Sequence, residues 1–392
     1  MNTYDFIIVG SGFAGSILAE RLASQEKKRV LIVEQRDHIA GNMYDYKDEN
    51  DILVHKYGPH LFRTNSPRVL QYISQFTGWH PYQHRVLANI QDQLVPVPFN
   101  LTSIERLLPD TAEELKAVLV EAFGMDTKVP VSVLRKHDDP RISEFGKFVF
   151  ENVYLNYTTK QWGDKPENLD FETITARVPV HISYDDRYFQ ESHQALPKDG
   201  YTKMFEQMLL NPLIDVRLGV KAKDVLTLVP NSDEILFEGQ PFKGGVIYTG
   251  PIDELFDYAF GELPYRSLRF DLETHAVDYY QPCATVNYPN TEAFTRITEY
   301  KHLMAEPPVK TTIMKEYPQA YDRHVPAQSV PYYPIPKDSN TVLYAKYFEA
   351  TKPYAGLMLV GRLAEYRYYD MNNIIERALD VFDTAFKSGT AE

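Results

Sequence analysis

Gly10, Gly12 and Gly15 stand in the run Gly10-Ser-Gly12-Phe-Ala-Gly15, and Glu34 lies 19 residues past the last of them. These residue types at this spacing suit a dinucleotide. Gly10 permits a tight turn, Gly12 lets the backbone approach a pyrophosphate, and Gly15 lets a helix pack closely on a strand. An acid about 20 residues further on takes ribose hydroxyls, and beside it a ribose 2′-phosphate would be repelled, so bound NADP is not expected. Gln35 follows the acid, and Gly41-Asn42 then offers a second close backbone approach. NAD enzymes have no general need of that second turn, whereas a bulkier dinucleotide profits from it.

The elements that must position these residues are legible around them. Phe6-Ile-Ile-Val9 reads as a strand leading into the glycine turn, a helical stretch follows to about Gln25, and Val30-Leu-Ile-Val33 is a second strand ending at Glu34. The unit is echoed far downstream. Gly245-Val-Ile-Tyr248 runs into Thr249-Gly250-Pro251 and a helix start at Ile252; Leu357-Met-Leu-Val360 runs into Gly361-Arg362, and Ile375, Leu379 and Phe382 space an amphipathic helix from Asn372. One nucleotide-binding domain assembled from three separated segments accounts for this pattern. From Thr102 to about Lys165 the texture is mostly helical, with Thr111-Ala-Glu-Glu114 predicting a capping box. From Tyr265 to Tyr347 short Tyr-, Thr- and Val-rich runs broken by proline predict an antiparallel sheet.

The chain of 392 residues carries a formal charge of -13, which argues against nucleic acid or an anionic membrane as a partner, because both need a basic field. An anionic ligand must then be held by local arginines. Cys283 is the only cysteine, so neither an intrachain disulfide nor a thiolate metal cluster can form. No DxD or HExxH cluster calls for a metal, and no apolar run approaches a membrane span. The first residues enter a strand with no signal-peptide pattern, so a cytoplasmic location without membrane insertion is expected.

Gly10 to Gly15, Glu34, Gly41-Asn42 and Tyr57-Gly58-Pro59-His60 together resemble the UDP-galactopyranose mutase family. The resemblance continues in order through Tyr157-Thr-Thr-Lys-Gln-Trp162-Gly163, Tyr184-Asp-Asp-Arg-Tyr188-Phe189, Tyr248-Thr-Gly-Pro251, Thr295-Arg-Ile-Thr-Glu299, Lys315-Glu-Tyr-Pro318 and Gly361-Arg-Leu-Ala-Glu-Tyr366 to Asp370-Met371. It implies an isomerase of α/β class: a discontinuous Rossmann-like FAD-binding domain over 1–80, 198–252 and 353–392, a helical domain over 99–172, and an antiparallel sheet domain over 81–98, 173–197 and 253–352. It also implies a homodimer, an external reductant that keeps FAD reduced, and a nucleotide diphosphate hexose as substrate. The implied reaction moves no net electrons: flavin N5 attacks the anomeric carbon, the nucleotide leaves, the sugar recloses as a furanose, and the nucleotide returns.

The resemblance also assigns roles. Phe13 and Ala14 join the glycines at the cofactor, as do Glu34, Gln35, Gly41 and Asn42; His60, Arg362, Asp370 and Met371 lie toward the flavin. Asp370 serves equally well as the cap of the last helix. Arg177 and Arg296 are the catalytic arginines that grip the diphosphate, for which a planar charged fork is suited, and His60 sets the flavin environment. Tyr157, Thr158 and Trp162 meet the nucleotide, with Asn287 beside them. Tyr188, Tyr317 and Tyr368 bring hydroxyls to the diphosphate or sugar, and Arg362 reaches the same side. A chain with 28 tyrosines also uses most of them in its core, so only the motif positions carry this reading.

Three places depart from the family pattern. Arg63 stands where a second histidine is usual, His84 replaces an asparagine, and Val153-Tyr154 replaces two phenylalanines. Arg63 would donate to an acetamido carbonyl, which suits UDP-GalNAc; Val153 leaves room for a thymine methyl, which suits dTDP-fucose. Two other classes compete. An amine-oxidase-like flavin oxidoreductase would fit the opening fingerprint alone, and a non-catalytic nucleotide-sugar binder would keep the fold without turnover.

Overall fold

The computed structural model describes residues 4–163, 179–326, 328–335 and 337–387. Arg177 and the side chain of Trp162 lie outside the described residues.

The glycine fingerprint opens a parallel sheet of five strands in the order Ile214–Leu218, Val30–Glu34, Phe6–Val9, Gly245–Tyr248 and Leu357–Leu359. Ile7 sits opposite Leu31 on one side and Val246 on the other. Ile7, Ile8, Leu31 and Ile32 are all fully buried, as strands covered on both faces require. The helix Phe13–Ser24 packs against the last helix, Met371–Ala385. Its Ile17, Leu18 and Leu22 share a core with Ile375, Leu379 and Phe382, and each such buried side chain contributes about 2 kcal/mol. The carboxyl ends of the strands, where doubly wound sheets bind ligands, carry Gly10, Glu34 and Thr249.

The helical segment comprises Leu101–Leu107, Ala112–Phe123, Val131–Arg135, Pro140–Val149 and Asn156–Trp162, with a π-helical turn at Phe150–Leu155. The capping box expected at Thr111 does not form. Thr111 has φ −117° and ψ 0°, off the extended cap geometry, and its side chain makes no capping bond. The reciprocal pair is instead Asn100 with Ser103, where Ser103 N donates to Asn100 Oδ1 at 3.1 Å and Asn100 N donates to Ser103 Oγ at 3.2 Å.

A seven-stranded sheet follows the order Tyr333–Pro334, Tyr265–His275, Thr311–Ala320, Arg296–Glu299, Thr285–Asn287, Val86–Ile90 and Gln93–Val97. It departs from the expected texture twice. The pairing of Thr285–Asn287 with Val86–Ile90 is parallel, and Asp338–Thr351 is a helix, not a strand. That helix buries Tyr347 beside Ile252 and Leu263, so packing outweighs the strand preference of its Val, Thr and Tyr.

Candidate active site

One cavity of about 1220 Å³ runs from the glycine turn to the face of the seven-stranded sheet. At its first end, Gly41 (φ +55°) lies so near Gly12 that a Cβ on Gly41 would stand 2.9 Å from Gly12 Cα. The two glycine turns therefore form a backbone cradle that any side chain would fill. Gly15 lines no part of the cavity; a Cβ there would meet Gly10 O at 2.0 Å, so it serves close packing of the helix on the turn. Phe13, Ala14 and Gln35 do line it. Glu34 accepts from Ser11 N at 2.9 Å, Ser11 Oγ at 2.7 Å and Arg36 N at 3.0 Å, which places its carboxylate at the cradle's edge.

Arg36 was not singled out from the sequence. Its Nη2 donates to Asn42 Oδ1 at 2.9 Å, and its guanidinium lies 4.1 Å over the Tyr57 ring. Its Nη1 is buried without a hydrogen-bond partner. A buried, unpaired guanidinium nitrogen beside a glycine cradle fits a pyrophosphate, since leaving such a donor unsatisfied is costly. These residues suit the diphosphate of FAD.

His60 donates Nδ1–H to Gly58 O at 2.8 Å, while its own backbone N donates to His55 Nδ1 at 3.0 Å. Burial, then the neighbouring His55 and Arg362, pull its pKa down to about 3, so the ring is neutral. The Nδ1–H bond leaves Nε2 as an acceptor. Asp370 is the cap of the last helix, accepting from Asn373 N at 2.9 Å. It also accepts from Arg63 Nη2 at 3.3 Å, and Met371 begins the helix at the cavity wall.

At the sheet end, Ala88, Asn287, Arg296 and Glu316 form one row across four strands on the same face. Arg296 Nη2 donates to Tyr157 OH at 2.7 Å. Burial alone would lower the pKa of Arg296, but Glu316 and the surrounding tyrosines more than offset it, and the guanidinium holds its proton above the ordinary arginine range. His84 is buried, its Nδ1 lies 3.2 Å from Tyr82 OH, and burial followed by Arg296 pulls its pKa down to about 3. Val153, Tyr154 and Thr158 form a buried wall, and Asn287 Oδ1 is buried without a partner. Tyr188 sits edge-on to His84, and burial raises its phenol pKa. Arg362 donates to the carbonyls of Tyr332 and Tyr369 and lies 5.0 Å over the Tyr368 ring.

Two expectations change here. Tyr317 does not line the cavity: side chains alternate along its strand, so Glu316 shares Arg296's face while Tyr317 faces away, under the Arg269 guanidinium at 4.0 Å. The tyrosine that does reach the site is Tyr333, 6.1 Å from Tyr368 between ring centroids and under Arg362 at 5.6 Å. Its one sequence signal is the doublet in Pro331-Tyr-Tyr-Pro334. Arg63 is also more committed than expected. It pairs with Glu191 and Asp370 and lies 4.2 Å over Phe189, so both Nη atoms are engaged before any acetamido group arrives.

A glycine cradle at the carboxyl ends of a Rossmann-like sheet, joined by one cavity to a half-buried arginine among tyrosines, defines a dinucleotide-binding protein with a second compartment suited to an anion. Residues 8–76 match a model of NAD(P)-binding Rossmann-like domains, and residues 152–368 match the family model described as UDP-galactopyranose mutase. The chain belongs to the UDP-galactopyranose mutase family. It is 38% identical to a UDP-galactopyranose mutase of Mycoplasma genitalium, covering 96% of this chain and 93% of that protein. It is 32% identical to a dTDP-fucopyranose mutase of Escherichia coli, covering 95% and 96%. A crystal structure of reduced UDP-galactopyranose mutase superimposes with a TM-score of 0.73 at 18% identity, covering 98% of this chain and 94% of that one. FAD is the cofactor. No helix among the described residues is long and apolar enough to cross a membrane.

Proposed function

We propose that the chain converts UDP-galactopyranose to UDP-galactofuranose, with Arg296 as the residue that holds the diphosphate. The observation that carries this is a half-buried guanidinium, anchored by Tyr157 at 2.7 Å, in a cavity continuous with the dinucleotide cradle. Reduced FAD supplies nucleophilic chemistry at the anomeric carbon when bound. The rest falls to the chain. Arg296 stabilises charge as it develops on the departing phosphate and keeps the nucleotide in place for its return. Tyr188, Tyr333 and Tyr368 offer hydroxyls beside it, Val153 and Tyr154 enclose the base, and neutral His60 accepts a hydrogen bond at the flavin side.

Arg177 belongs to this reading as a second phosphate ligand and Trp162 as a nucleotide contact. The proposal extends to a homodimer, an external reductant and a cytoplasmic site of action, supported by family membership. It includes the three-part division of the chain, supported by the five parallel strands falling within 1–80, 198–252 and 353–392. The test is anaerobic reduction of the flavin, addition of UDP-galactopyranose and separation of the products. Furanose product with reduced but not oxidised protein is expected. Bleaching of the oxidised flavin by the nucleotide sugar would instead mark an oxidoreductase.

A further inference from the structure

Glu316 is an acid built into the back of a site for an anion. It is 3% exposed, lies directly across the strand pair from Arg296, and places Oε1 3.5 Å from Arg296 Nε. Arg296 Nε has no hydrogen-bond partner, so the contact is one of charge and not a bonded fork. Tyr157 takes Nη2 on the other side. A buried charge is expensive to desolvate, and a carboxylate beside a phosphate site opposes the ligand. Packing alone does not call for a charge at this position.

We infer that Glu316 is a positioning residue that aims Arg296 into the cavity and weakens its hold on the substrate diphosphate. The inference rests on the reading of Arg296 given above. A guanidinium facing a diphosphate in a partly buried site with no counter-charge binds substrate and departed nucleotide alike, which deepens the ground state without lowering the barrier. With Glu316 present, the pair is neutral overall and keeps Arg296's direction. The nucleotide is then held through the reaction and released after it.

The experiment titrates UDP and uridine into holoenzyme by calorimetry. Glu316→Gln keeps the shape and an acceptor near Arg296 while removing the charge. The expected result is UDP binding at least about tenfold tighter, since one charge leaves a poorly screened site, with uridine affinity unchanged and KM for the nucleotide sugar lowered. Unchanged or weaker UDP binding overturns the inference, as does equal tightening of uridine. Glu316→Asp, which draws the charge back by one methylene, decides the matter should the glutamine variant fail to retain flavin. A smaller tightening in the same direction is expected, and weakening overturns the proposal. Arg296→Ala binding UDP as well as wild type would instead refute the diphosphate reading itself, and the proposal with it.

Discussion

Arg296→Lys separates what the fork does from what the charge does. A lysine at 296 keeps a cation near Glu316, so the buried carboxylate is not abandoned; it loses the planar geometry that lets one side chain bond Tyr157 through Nη2 while presenting further donors to a phosphate. One charge-assisted hydrogen bond contributes about 1.5–3 kcal/mol, so losing one to the diphosphate lowers kcat/KM by about 10- to 100-fold. The assay is initial rate of furanose formation with chemically reduced enzyme under anaerobic conditions, normalised to bound flavin. Thermal stability and flavin content are measured in parallel, because both should stay near wild type. A rate within about threefold of wild type, in protein that retains FAD, would show that Arg296 does not grip the diphosphate through its fork.

The cofactor end was legible in the sequence because its chemistry is local. A glycine turn, its flanking strands and its acid lie within 29 residues, from Phe6 to Glu34, and the turn's geometry follows from residue type alone. Arg36 was hidden for a different reason: a guanidinium two residues past an acid looks like any surface ion pair until burial shows an unpaired Nη1. The substrate end is harder to read because it is assembled across a sheet. The motif around Tyr317 is present as expected, yet a strand presents alternate residues to opposite faces, and the face presented depends on a register no short motif encodes. Glu316 therefore stands behind Arg296 on the face where Tyr317 was expected. Tyr333 is brought to the site by the edge-strand pairing of Arg266 with Tyr333, a long-range register with no local signal. At Thr111 the composition of a capping box was present, but the residue's own backbone lacked the cap conformation.

Gly41→Ala should abolish flavin retention, because its Cβ would stand 2.9 Å from Gly12 Cα at a positive φ; purified protein that keeps a full flavin spectrum would refute the cradle. Tyr333→Phe should lower turnover while Tyr317→Phe leaves it within about twofold, a surface-facing substitution that touches nothing in the cavity; the reverse ranking in steady-state assays would put Tyr317 back in the site. The last expectation concerns acid. His55, His60 and His84 have pKa values pulled down by burial from an ordinary 6.5 to about 4, about 3 and about 3. Below about 6.5 the unfolded chain binds protons that the folded chain refuses, so these groups' contribution is fully present above about 6.5 and is lost as pH falls toward their folded values. Urea midpoints should therefore drop progressively from about pH 6.5 to about pH 4. His84→Gln should flatten that slope by about one proton's worth, since a glutamine fills the same space beside Tyr82 and has nothing to titrate. An unchanged slope would mean that His84 takes up a proton inside the folded protein, next to Arg296, which its burial forbids.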